Sequence, residues 1–98
     1  MPSKLIAAIA FDQEESDIVI PDSLLNSWLN EWLPEQLRLV TLTTEWGVRC
    51  IVGIGSTHPG EAIFVPSWVL KLLGIPDGAQ YVTMEPYLVI GPSLSGQQ

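Results

Sequence analysis

Only one cysteine, Cys50, and one histidine, His58, occur among the 98 residues. A lone thiol excludes an internal disulfide, and the two side chains together are too few to build a structural zinc site, so a reducing compartment, cytoplasm or nucleus, is the expectation. Positive charge is also scarce. Four Lys and Arg stand against eleven Asp and Glu for a formal charge of −7, which repels phosphate backbones and anionic lipid heads and argues against nucleic-acid and membrane partners; basic protein surfaces fit better. No hydrophobic run approaches a membrane span. The longest opening run, Leu5 to Phe11 behind Lys4, ends in Asp12-Gln13-Glu14-Glu15 instead of a small-residue cleavage site, and it reads as a first strand, not a signal peptide.

The motifs of several enzyme classes are missing as well. There is no Asp-Thr/Ser-Gly with which to bring two carboxylates onto facing loops. The glycine-rich segment Gly53 to Glu61 has no Gly-Lys-Ser/Thr and leads into a strand, so it reads as a hairpin loop, not a phosphate cradle. Gly55-Ser56 has the composition of a self-processing bond but not its flanks, and Ser56 and His58 have no third group to orient them as a nucleophile and base. Asp12, Glu14, Glu15 and Asp17 lack the ligand spacing and glycine turn of a calcium loop. The expectation is a chain that is not an enzyme and holds neither cofactor nor metal.

What is present is a repeat. Ile18-Val19-Ile20-Pro21 and Ile63-Phe64-Val65-Pro66 are each followed by a short amphipathic helix. With 47% apolar and 15% charged residues, the chain has enough apolar material for one core and too little length for a second independent one. One domain over 1–98 is expected, with a core at about 5–90 and a loose tail at 91–98. Strands are predicted at 5–11 and 17–20 around a solvated acidic loop. A helix then runs from Pro21 to about Leu33, with Asp22 or Ser23 as its cap. Leu24, Leu25, Trp28, Leu29, Trp32 and Leu33 fall on one half of its circumference, which makes Trp28 and Trp32 core residues.

Past Pro34, β-branched residues predict strands over Leu37–Thr44 and Gly47–Ile54 around a Glu45-Trp46-Gly47 tip. A large aromatic at a tip either caps a barrel end or meets a partner. In the second copy Ser67 is the candidate cap, Trp68 to Leu73 the helix and Gly74 its stop, with a turn at Pro76-Asp77-Gly78. Gln80–Met84 and Tyr87–Ile90 close the sheet, with Pro86 marking an edge or a bend. Trp68 lies at the margin of its helix's apolar stripe, as a barrel lid whose ring partly reaches the surface.

Two strand–helix units with further strands match a mainly β fold, the double-psi β-barrel, whose halves are related by a pseudo-twofold axis. Val65-Pro66-Ser67-Trp68-Val69-Leu70-Lys71-Leu72-Leu73, then Asp77-Gly78, Tyr81-Val82-Thr83 and Tyr87-Leu88 resemble the amino-terminal domain of the ubiquitin-fusion-degradation (Ufd1) family, with its Leu-Pro-x-Trp helix start, glycine turn and β-rich return. The resemblance covers about 17–90 and is most specific over 63–88. It implies a protein-binding barrel of the kind that serves adaptors of AAA ATPases, with ubiquitin or the ATPase as partner. The family's second subdomain and ATPase-binding box have no counterpart in these residues.

Three function classes follow: a protein-binding module, a structural subunit of a homo-oligomer or of a larger assembly such as a viral shell, and a double-psi-barrel enzyme. The first fits the sequence best. Its expected contact residues are Trp46 and Arg49 at the hairpin, with His58 and Pro59 on the long loop, chosen for loop position and side-chain chemistry. Self-association through exposed apolar groups is the alternative.

Overall fold

The computed structural model describes residues 3–32, 37–75 and 80–87. The end of the first helix at Leu33, the break at Pro34, the Pro76-Asp77-Gly78 turn, the strand end at 88–90 and the tail lie outside those residues.

The elements are β1 (Lys4–Phe11), β2 (Ile18–Pro21), α1 (Asp22–Trp28) extended by one 3₁₀ turn (Leu29–Glu31), β3 (Leu39–Thr43), β4 (Arg49–His58), β5 (Ile63–Pro66), α2 (Ser67–Leu72) and β6 (Gln80–Tyr87). The strands close into a barrel in the order β1-β5-β2-β4-β3-β6. Closure leaves no open sheet edge. Inward side chains alternate along each strand, as a pleated strand requires: Ile6 and Ala8 from β1, Val40 and Leu42 from β3, Val82 and Met84 from β6 are all buried.

Register reveals the internal symmetry. β1 runs parallel to β5 with Phe11 opposite Pro66, and β2 runs parallel to β4 with Pro21 opposite His58. β1 and β4 each add an antiparallel neighbour, β6 and β3 respectively. The first three strands therefore map onto the last three, and where the axis crosses the sheet, equivalent residues must face each other. They do so twice, at Val19 opposite Phe64 and at Leu42 opposite Met84. The repeated Ile-x-x-Pro strands also share one burial pattern, with only the second residue partly exposed. Every strand pair joins one half of the chain to the other.

Both helices start directly from a proline in extended conformation, Pro21 at φ −62°, ψ 139° and Pro66 at φ −54°, ψ 136°. A preset φ near −65° suits this junction. No side chain caps either helix, which corrects the expectation for Asp22, Ser23 and Ser67. Helix 2 starts so close to β1 that the Ser67 hydroxyl donates instead to the Phe11 carbonyl at 3.2 Å. Gly74 ends that helix at φ +78°, a conformation that costs an L side chain strain. Trp28 and Trp32 are buried as expected, edge to face at 6.5 Å, and the Trp32 indole N–H donates to the Leu39 carbonyl at 3.2 Å.

Two expectations are overturned. The Gly53–His58 stretch is not a hairpin loop but the second half of β4, and β4 and β5 are not paired with each other. The glycines are there for space: a Cβ on Gly53 would come within 2.9 Å of the Asp17 carboxylate, and one on Gly55 within 2.9 Å of the Asp17 Cβ. Pro86 does not interrupt the strand: it sits inside a continuous β6 opposite Val40 with its ring buried. It lies past Met84, the last residue that pairs with β1, so among the described residues it has a ladder partner on the β3 side alone, as the edge reading expected.

Candidate functional site

Trp46 stands in the turn between β3 and β4. Thr44 builds that turn: its N–H donates to the Val48 carbonyl at 2.9 Å, its hydroxyl accepts from the Val48 N–H at 3.0 Å, and its carbonyl accepts from the Gly47 N–H at 3.0 Å. Gly47 takes φ +87°. The tight turn throws the indole across to α2, where its N–H donates to the Leu73 carbonyl at 3.1 Å. One of the terminal carbonyls that a helix leaves unpaired is thereby satisfied by a side chain. The ring lies over Gly74, whose Cβ position is 3.5 Å from the indole nitrogen. The tryptophan is a cap with its outer face open, 49% exposed.

That geometry gives a direct prediction. Trp46→Phe keeps an aromatic side chain but loses the N–H with the five-membered ring, and is expected to cost at least about 0.5–1.5 kcal/mol in urea unfolding, the net value of a single hydrogen bond. A change indistinguishable from zero would show that water replaces the indole at the Leu73 carbonyl.

Arg49 begins β4 opposite Thr43 and is exposed. His58 ends the same strand. At about 3.3 Å per residue the length of β4 puts Arg49 and His58 on the order of 30 Å apart. The barrel thus brings Trp46 and Arg49 together at one end and His58 and Pro59 together at the other, and it does not join the two pairs into one patch.

His58 is engaged by its own loop. The Gly60 N–H donates to Nδ1 at 3.0 Å, which leaves the proton on Nε2, and that nitrogen donates to the Ala62 carbonyl. Its ring also meets Phe64 edge to face at 4.9 Å. With both nitrogens committed to backbone groups, the imidazole shapes the β4–β5 connection. Pro59 is the exposed member of the pair.

Cys50, next to Arg49, is partly buried, and burial pushes its thiol above the ordinary value of 9.0. The unfolded chain therefore loses this proton first. Its contribution to stability is complete below the unfolded thiol's pKa and is lost as pH rises through the raised folded one. Iodoacetamide is expected to label the native protein more slowly than the urea-unfolded chain at pH 8, and the difference narrows as pH is raised further. Equal rates at pH 8 would contradict a shielded thiol. Among the described residues no three His, Cys, Asp or Glu side chains converge as metal ligands.

Sequence reasoning missed the cleft between β1 and α1. Lys4, Pro21, Ser23, Leu24, Ser27 and Glu61 enclose about 230 Å³ there. A shallower hollow along Leu5, Ala7 and Tyr81 shares Lys4 and Glu61 with it. The signal for it lay in the repeat: Ser23 and Ser27 stand where the second helix has Trp68 and Leu72.

No family model matches this chain, and no curated protein does. Among solved structures, it is similar to the crystal structure of a computationally designed double-psi β-barrel, msDPBB_sym2, with a TM-score of 0.59 at 13% identity, over 86% of this chain and 100% of the designed one. At that identity the likeness is one of fold. The chain is a mainly β, double-psi barrel with two short helices.

Proposed function

We propose that this barrel is a non-enzymatic protein-binding module. The observation that carries the reading is Trp46, a large aromatic fixed at its N–H by the Leu73 carbonyl and open on its outer face. A rigid, amphipathic anchor of this kind loses little conformational freedom on binding and is enriched where interfaces draw their energy. Arg49 adds a donor fork beside it. Pro59, held by the His58 loop, offers a separate contact at the far end.

The resemblance over 63–88 supports a finer version, in which the partner is ubiquitin or the amino-terminal domain of a AAA ATPase. Titrating ¹⁵N-labelled protein with each of these separately tests it. The expected result is saturable shifts centred on Trp46 and Arg49 with one of the two. Their absence with both, at millimolar partner, counts against the adaptor version.

A second reading, a subunit of a homo-oligomer or shell, is favoured by the outer wall. Leu5 and Tyr81 are 63% and 58% exposed on the paired strands β1 and β6, and Ile51, two strands away from β6 on β4, is 48% exposed, more apolar surface than a solvated wall needs. Light scattering separates the two: a concentration-independent multimer supports the subunit reading, and a monomer supports the binding module.

A further inference from the structure

We infer that the cleft between β1 and α1 is a receptor for a tryptophan side chain of a partner polypeptide. The internal symmetry of the barrel is broken at this cleft. α1 and α2 leave equivalent prolines in the same conformation, so Ser23 corresponds to Trp68, Leu24 to Val69 and Ser27 to Leu72. Burial agrees, with Leu24 and Val69 both in the core. Around Trp68, the β1–β2 loop supplies an acceptor: the indole N–H donates to the Glu15 carbonyl at 3.3 Å. The second half of the barrel therefore lays its own tryptophan against the junction of strand, loop and helix.

In the first half that tryptophan is replaced by Ser23, and the cleft is open. The symmetry-related β4–β5 loop borders it through Glu61. Lys4, facing Met84, corresponds to Cys50, facing Leu42; Cys50 is partly buried and Lys4 is exposed. At about 230 Å³ the space falls below the roughly 300–1,000 Å³ of drug-sized ligand sites and suits one large side chain. Leu24 and Pro21 give it an apolar floor. Glu61 gives the ring N–H an acceptor, in the role the Glu15 carbonyl has for Trp68. Ser27 is exposed, but its hydroxyl already donates to the Leu24 carbonyl at 2.9 Å, so it presents little competing polarity. The hollow past Leu5, Ala7 and Tyr81 gives the partner's backbone a path along β1.

This inference deepens the protein-binding reading, on which it relies for the source of the side chain, but it does not depend on ubiquitin or an ATPase. Its test uses a model compound. N-acetyl-L-tryptophanamide added to the ¹⁵N-labelled chain is expected to shift the Ser23, Ser27 and Glu61 amides saturably, and N-acetyl-L-phenylalaninamide, which lacks the ring N–H, to bind at least threefold more weakly. Ser23→Trp fills the cleft from within and is expected to weaken binding at least tenfold; Ser27→Leu, the other symmetry-related replacement, serves where the first does not fold. Trp68→Ser is expected to open a second site, with new shifts around Glu15. No saturable shift in the native chain, or undiminished shifts in the cleft-filling variant, overturns the inference. Either result leaves the Trp46 surface and its ubiquitin titration unaffected, so the two failures are distinguishable.

Discussion

Trp28→Ala is expected to remove about 3–5 kcal/mol from the folding free energy, the usual cost of truncating a buried aromatic to alanine. Trp28 is 5% exposed, lies on the buried face of α1, and meets Trp32 edge to face at 6.5 Å. Truncation forfeits the transfer energy of the indole and leaves a cavity that the barrel wall cannot follow inward, because the wall is closed by hydrogen bonds on both sides. A domain of this size has about 5–15 kcal/mol in total. The variant should therefore have its urea midpoint lowered by about a fifth or more, with the slope unchanged if the native state stays compact. A loss below about 1 kcal/mol would mean that α1 is not packed on the core. Trp46→Ala is the informative control, since its ring is half exposed and its loss opens no comparable cavity.

Leu42→Ala and Met84→Ala come next, at about 2–5 kcal/mol each. Both residues are fully buried, and they face each other where the pseudo-twofold axis crosses the β3–β6 ladder. Each truncation enlarges the same space. The double variant is expected to cost less than the sum of the singles by about 0.5–3 kcal/mol, the coupling of residues that share a cavity. Additivity within about 0.5 kcal/mol would show that the two halves relax independently across the axis. Met84 has the more adaptable side chain and can relax into the space that Leu42 vacates, so Leu42→Ala should be the milder single variant.

Much of the fold was legible because it is written in local periodicity. The two strands ending in proline, the buried Leu24, Trp28 and Trp32, the Trp46 tip and the Gly74 stop are where their patterns put them, whereas the helix expected to reach about Leu33 is α-helical only to Trp28, and Leu29 from its apolar half is exposed. The misreadings share one cause: the deciding neighbour is distant in sequence. Gly53 and Gly55 read as loop residues until Asp17 is seen across the sheet. Ser67 reads as a cap until the Phe11 carbonyl competes for its hydroxyl. Pro86 reads as an interruption of the strand until Leu39 to Thr41 are seen pairing with Glu85 to Tyr87. For the candidate site, side-chain type and turn position located Trp46 and Arg49, but the distance from them to His58 and Pro59 depends on how far β4 extends. The cleft beside Ser23 could be found only by asking what the repeat omits.

The pairing of every strand with the opposite half bears on how the chain reaches its native state. While the first half is emerging from the ribosome, β1, β2 and β3 have no hydrogen-bonding partner among themselves. No sheet can form until β4 follows, and the barrel cannot close until β6 is released. Such non-local pairing places folding in the slow, millisecond-to-second regime and keeps unpaired strands exposed during synthesis. It also interlocks the product. A chain nicked between Gly74 and Gln80 would retain β6 through both β1 and β3, so the fragments should stay associated until the whole barrel unfolds.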